Sequence, residues 1–136
     1  MIAALIYVVS LVALIQFFVY YCRSVLASSR KVELSVRVRE AAGVSGNSVA
    51  AEDFERFLEL VRLCPENDAD RADIRVVGTY YGLLHVLARL SRATAPGVAA
   101  WAERERQGCS HFAAVALDRR ISFSRDLFMH QVSSRP

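Results

Sequence analysis

Charge is absent from the first twenty-two of the 136 residues, and lysine is nearly absent throughout: Lys31 stands alone against sixteen arginines. That skew reads as the codon usage of a GC-rich bacterial genome. Glycine and proline are also scarce, six and three, while 54% of residues are hydrophobic. Such a balance excludes a disordered or low-complexity chain. The three cysteines (Cys22, Cys64 and Cys109) are too scattered for a disulfide framework, and no C-x-x-C pair suggests zinc or dithiol chemistry. No phosphate-binding glycine loop, dinucleotide fingerprint, H-E-x-x-H or nucleophile elbow occurs. No repeat of domain-building period is visible. The length suits one small domain with an appendage.

The appendage is Met1 to Cys22. Its clearly polar members are Ser10 and Gln16, and twelve of its residues are Leu, Ile, Phe or Val. As a helix it spans about 33 Å, against a hydrocarbon core of about 30 Å. The twelve large apolar residues contribute on the order of −5 kcal/mol to insertion. A cleaved signal peptide would carry a basic n-region and a shorter apolar run. A lipoprotein signal would place small residues where Val19, Tyr20 and Tyr21 stand. The run is therefore an uncleaved anchor. Arg23, Arg30, Lys31, Arg37 and Arg39 follow it, so the positive-inside rule places the N-terminus outside and the remainder in the cytoplasm. Arg23, Arg30 and Lys31 are candidate lipid-headgroup contacts. Phe17, Phe18, Tyr20 and Tyr21 supply an interfacial aromatic belt. Ala3, Ala4, Ser10 and Ala13 never fall four apart, so Gln16 is the candidate intramembrane contact.

The rest reads as helices. Residues 23–47 form a basic connector. Alternation of Val32, Leu34, Val36 and Val38 with polar residues has strand period, but an isolated strand has no partner. Gly43 followed by Val44 looks like a helix stop, which favours a helix continuing out of the membrane to about Ala42. Residues 48–132 form a helical domain, with 133–136 a frayed tail. Ser48 is a candidate N-cap for a helix carrying Phe54, Phe57, Leu58, Val61 and Cys64 on one face, closed by Pro65. Asp70 and Asp73 resemble a capping pair for a helix of about residues 71–91, read as the central one. Its thirteen residues between Arg75 and Arg89 are too few for a second span. A fourth helical region starts near Pro96 and reaches about Ile121, with Gly108 a possible break, and a short docked helix follows. The core set is Phe54, Phe57, Leu58, Val61, Ile74, Val77, Tyr81, Leu84, Trp101 and Phe112. The fold class is thus all-α: one transmembrane helix followed by a cytoplasmic bundle of three or four helices.

Chemistry is thinly represented. Cys109-Ser110-His111 looks reactive, but residues two apart on a helix diverge, and Cys109 falls on the apolar face with Phe112. The acidic segment from Asp68 fails as a calcium loop, since Asp73 stands where glycine is needed. His85 reads as a packed side chain, and no histidine lies in the span to hold haem. Cys22 would be an acylation site only in a eukaryote. Arg119, Arg120 and Arg125 cluster, yet acids share the same third of the chain, which argues against nucleic acid. No catalytic, cofactor or metal residue is assigned, and no small-molecule substrate is expected. What stands out is Gly78 and Gly82, four apart in a helix and beside His85. Two glycines there cost about 1 kcal/mol each relative to alanine, which points to a close helix neighbour, inside the bundle or from a partner. Charge is segregated as well: residues 49–73 hold three basic and eight acidic groups, and residues 74–136 hold nine and four. The expected function is a non-catalytic single-pass accessory or scaffold subunit of an inner-membrane assembly, its partners being membrane lipid and other protein subunits. The alternative is a tethered adaptor for a soluble cytoplasmic partner.

Overall fold

The computed structural model describes residues 1–34, 38, 40, 50–65 and 68–133. They form four α-helices and, among the described residues, no strand: α1 (Ile2–Arg30), α2 (Phe54–Leu63), α3 (Asp68–Ser91) and α4 (Pro96–Ser133), with a 3-10 turn at Ala51–Asp53 leading into α2. The architecture is the one read from periodicity: a long apolar N-terminal helix followed by helices that pack together.

α1 stops at Arg30, twelve residues short of the Ala42 end predicted from the glycine. The cause is local. Ser28 and Ser29 turn their hydroxyls back onto the carbonyls of Val25 and Leu26 at 2.7 and 2.8 Å. The Val32 N–H then closes a tight turn on Ser29 O at 3.0 Å. Hydroxyls that bond the preceding turn weaken a helix and favour its end. The Gly43–Asn47 loop and the Ser48 cap lie outside the described residues.

The core gathers around α4, which touches every other element; the sequence had pointed to α3. α4 can hold the centre because its middle is made of small side chains. Ala102, Cys109, Ser110, Ala113, Ala114 and Ala116 are all buried, and they let three neighbours approach from different sides. Two other expectations for this segment fail. α4 does not break at Gly108, and the stretch after Ile121 is a continuation of the same helix, with no separate docked piece. At 38 residues it is about 57 Å long. Gly108 serves approach: a Cβ there would sit 3.0 Å from Arg30 Nη2.

Helices α2 and α3 each lie on α4, and their backbones stay apart. Phe54, Phe57 and Val61 form the buried face of α2, with Leu58 half-buried beside them. Cys64 turns extended just before Pro65, as the ring of a following proline requires. Arg120 Nη1 reaches back to donate to Val61 O at 2.8 Å, capping a carbonyl in the last turn of α2. On α3, Val77, Tyr81, Leu84 and Ala88 face the core. Asp70 and Asp73 sit inside α3, which starts earlier than predicted. Asp70 accepts a hydrogen bond from Arg119 at 3.3 Å, and Asp73 accepts one from Tyr21 at 3.3 Å. The α3–α4 connection closes with Ala95 N–H on Ser91 O at 2.8 Å, and Pro96 opens α4 where its missing N–H costs nothing.

α1 and the bundle share one core. Cys22 and Leu26 of α1 are buried with the side chains of α3 and α4, and Phe18, Val19 and Val25 pack against them. Earlier in α1, every residue from Ile2 to Phe17 is exposed.

Candidate functional site

Where α2 and α3 diverge over α4 they leave an open groove of about 1050 Å³. Gly78, Gly82 and His85 line its α3 wall. A Cβ on either glycine would meet nothing within 4 Å among the described residues, so the close neighbour suggested by these glycines is not a helix of the described bundle. The groove is electrically polarised along its length. Arg62, Arg71 and Arg75 stand at the end where α2 hands over to α3, and Glu52 and Glu55 at the other.

Two arginines of α4 form part of its floor, and sequence reasoning missed both. Arg106 donates to Tyr81 Oη and to Glu103 Oε2, each at 2.8 Å, while its guanidinium lies 4.9 Å over the Tyr81 ring. Tyr81 in turn stacks on Phe54 at 4.1 Å and donates to Ala51 O at 2.8 Å. Ser110 Oγ donates to the same carbonyl at 3.2 Å. This network pins the 3-10 turn, and with it the Glu52–Glu55 end of the groove. Arg120 is the second, and the Nε of both arginines is buried without a hydrogen-bond partner. The available signal was spacing: fourteen residues is close to four helical turns, which puts Arg106 and Arg120 on one stripe.

Two members of the reactive-looking triplet, Cys109 and Ser110, are fully buried, and His111 is half-buried. Burial, and after it the Glu105 charge, pushes the Cys109 thiol up to about 12, so it stays protonated at neutral pH. Ser110 is bonded to two carbonyls. Burial, then Arg30, lowers the affinity of His111 for a proton. Among the described residues no three His, Cys, Asp or Glu side chains converge as metal ligands.

Two of the candidate headgroup contacts turn inward. Arg23 Nε and Arg30 Nη2 lie 3.7 and 3.9 Å from Glu105 Oε1, a carboxylate only 7% exposed. Both guanidinium-bearing side chains remain more than half exposed, and Lys31 caps α1 in solvent. Gln16 is exposed on α1. Near it lies a second concavity, an apolar cleft of about 430 Å³ between Leu14, Ile15, Phe18 and Val19 of α1 and Tyr80, Leu83, Leu84, Leu87 and Trp101 of the α3–α4 hairpin.

No family model, curated protein or solved structure matches this chain.

Proposed function

We propose that this chain is a non-catalytic, single-pass accessory subunit of an inner-membrane assembly. α1 is the anchor, with the N-terminus outside and the helical domain in the cytoplasm; the basic residues after the apolar run support that orientation. The domain docks on neighbouring proteins.

The observation that carries this reading is the far end of α4. Phe123, Leu127, Phe128 and Met129 are 43, 47, 67 and 65% exposed. The ion pairs of α1 with α4 lie in the first third of that helix, Arg23 and Arg30 both on Glu105, with Arg30 also beside Gly108. From Gly108 the helix runs about another 37 Å away from the anchor. On this reading Phe128 lies outside the bilayer that receives Ile2–Phe17. An apolar surface of this kind, held away from lipid, marks a protein interface.

Gentle solubilisation followed by sizing tests it. The protein should migrate with other membrane proteins at large mass and remain there at about 0.5 M salt, where exposed charges are screened. Substituting Phe128→Asp together with Met129→Asp leaves the fold within about 0.5 kcal/mol, because both sites are exposed, yet should release the protein from the complex. Migration at its own mass, unaltered by the double substitution, defeats the proposal. The alternative, a tethered adaptor for a soluble partner, draws on the polarised groove and predicts dissociation by the same salt.

A further inference from the structure

We propose that the closed end of the α3–α4 hairpin is embedded in the bilayer, in the leaflet on the domain's side, with lipid acyl chains filling the cleft against α1. The inference rests on the reading of α1 as a membrane anchor and adds where the membrane surface lies on the protein.

Successive contacts show the hairpin rising along the apolar run. Tyr21 meets Asp73, the Phe18 ring lies 6.1 Å from that of Tyr80, and Leu14 and Ile15 look across the cleft at Leu87 and Trp101. Leu14 precedes Cys22 by eight residues, about 12 Å of helix. A span reaching to Cys22 thus carries the last turns of α3 below the hydrocarbon boundary with it. The surface of those turns suits that depth. Leu83, Val86, Leu87 and Leu90 are 57, 55, 39 and 72% exposed and recur at helical spacing, on a stripe separate from the core face. α3 therefore has two apolar faces, and among the described residues only one of them is buried in the bundle.

The stripe is continuous with the anchor through the cleft. Wherever Leu14 to Phe18 are in lipid, lipid reaches Leu83 and Leu87 with no further component needed. Arg89 and Arg92, exposed at the hairpin end, can point back towards the headgroups of the same leaflet while their stems remain in the apolar layer. Trp101, half-buried in the cleft wall, has the amphipathic ring favoured at this level.

Trp101 is the only tryptophan in the chain, so the full-length protein reports on itself. It is reconstituted in phosphatidylcholine–phosphatidylglycerol vesicles, with or without bromine on the acyl chains. Trp101 emission should lose most of its intensity in brominated vesicles and little on addition of aqueous iodide. A Trp101→Phe, Leu90→Trp protein moves the reporter onto the exposed stripe and should be quenched by bromine at least as strongly. A Trp101→Phe, Phe128→Trp protein should be quenched by iodide and not by bromine. If the protein floats with the vesicles while bromine spares both Trp101 and Leu90→Trp, the hairpin lies outside the bilayer and the proposal is wrong. If the protein does not float with vesicles, the anchor itself is wrong and the embedded hairpin falls with it.

Discussion

The two parts of α1 both carry large apolar side chains and meet opposite surroundings. Leu11 is 59% exposed and Leu26 is 1% exposed, although both are leucines on one unbroken helix. The first belongs to a stretch that is exposed throughout, the second to a core shared with α3 and α4. Hydrophobicity sets the preference of each to leave water. It does not say whether lipid or protein receives it. α3 repeats the contrast across its width, with Leu84 2% and its neighbour Leu83 57% exposed.

The sharpest way to break this comparison is to remove the same atoms from both parts. Leu26→Ala should destabilise the detergent-solubilised domain by about 2–5 kcal/mol in denaturant unfolding, whereas Leu11→Ala should leave that transition in place. Equal responses would mean that α1 does not share the core. The reverse experiment adds charge. Leu11→Arg removes on the order of 3 kcal/mol from an insertion free energy of about −5 kcal/mol, and it should increase alkaline extraction from membranes without unfolding the bundle.

A smaller effect separates the glycines. Gly82→Leu should raise the stability of the isolated protein by up to about 1 kcal/mol, the propensity gain of a helix position with open space around it. If a partner enters the groove, the same variant should lose assembly while unfolding later. Gly108→Leu must displace the Arg30 side chain from its place beside Glu105, so its propensity gain should be cancelled or reversed. A Gly108→Leu protein stabilised as much as Gly82→Leu would show that Arg30 moves away freely.

The smallest expected change is in thiol labelling. Cys64 is half-buried, and Cys109 is fully buried with a raised pKa. At pH 8 Cys64 should label first, and Cys109 only after denaturation. Cys64 is therefore the residue for mapping topology: a permeant reagent should reach it in intact cells and an impermeant one should not. Labelling by the impermeant reagent would place the domain outside.

Much of the fold was legible because it depends on short-range pattern. Phe54, Phe57 and Val61 at helical spacing marked the buried face of α2, and Pro65 marked its end. Seven of the ten core residues read from periodicity are buried, and Leu58, Ile74 and Trp101 pack against them. The site was only half legible. Gly78, Gly82 and His85 were visible as an interruption of helix composition and do line a groove. Arg106 and Arg120 did not stand out as site residues, because nothing local shows that a tyrosine hydroxyl and a helix-end carbonyl will come within hydrogen-bond distance of them.

By itself the sequence determined that the chain is helical, that its first stretch is long and apolar enough to cross a bilayer, and a few boundaries marked by proline or a cap, such as the end of α2 at Pro65 and the start of α4 at Pro96. These follow from propensity, periodicity and length, which act over a few residues. Only the tertiary structure decided that α4 is the central helix, that Gly108 admits Arg30 while Gly78 and Gly82 stand open, and which half of α1 is covered by protein. Those outcomes depend on which surfaces meet across the fold. The same leucine or glycine serves either outcome until a neighbour from a distant part of the chain is in place.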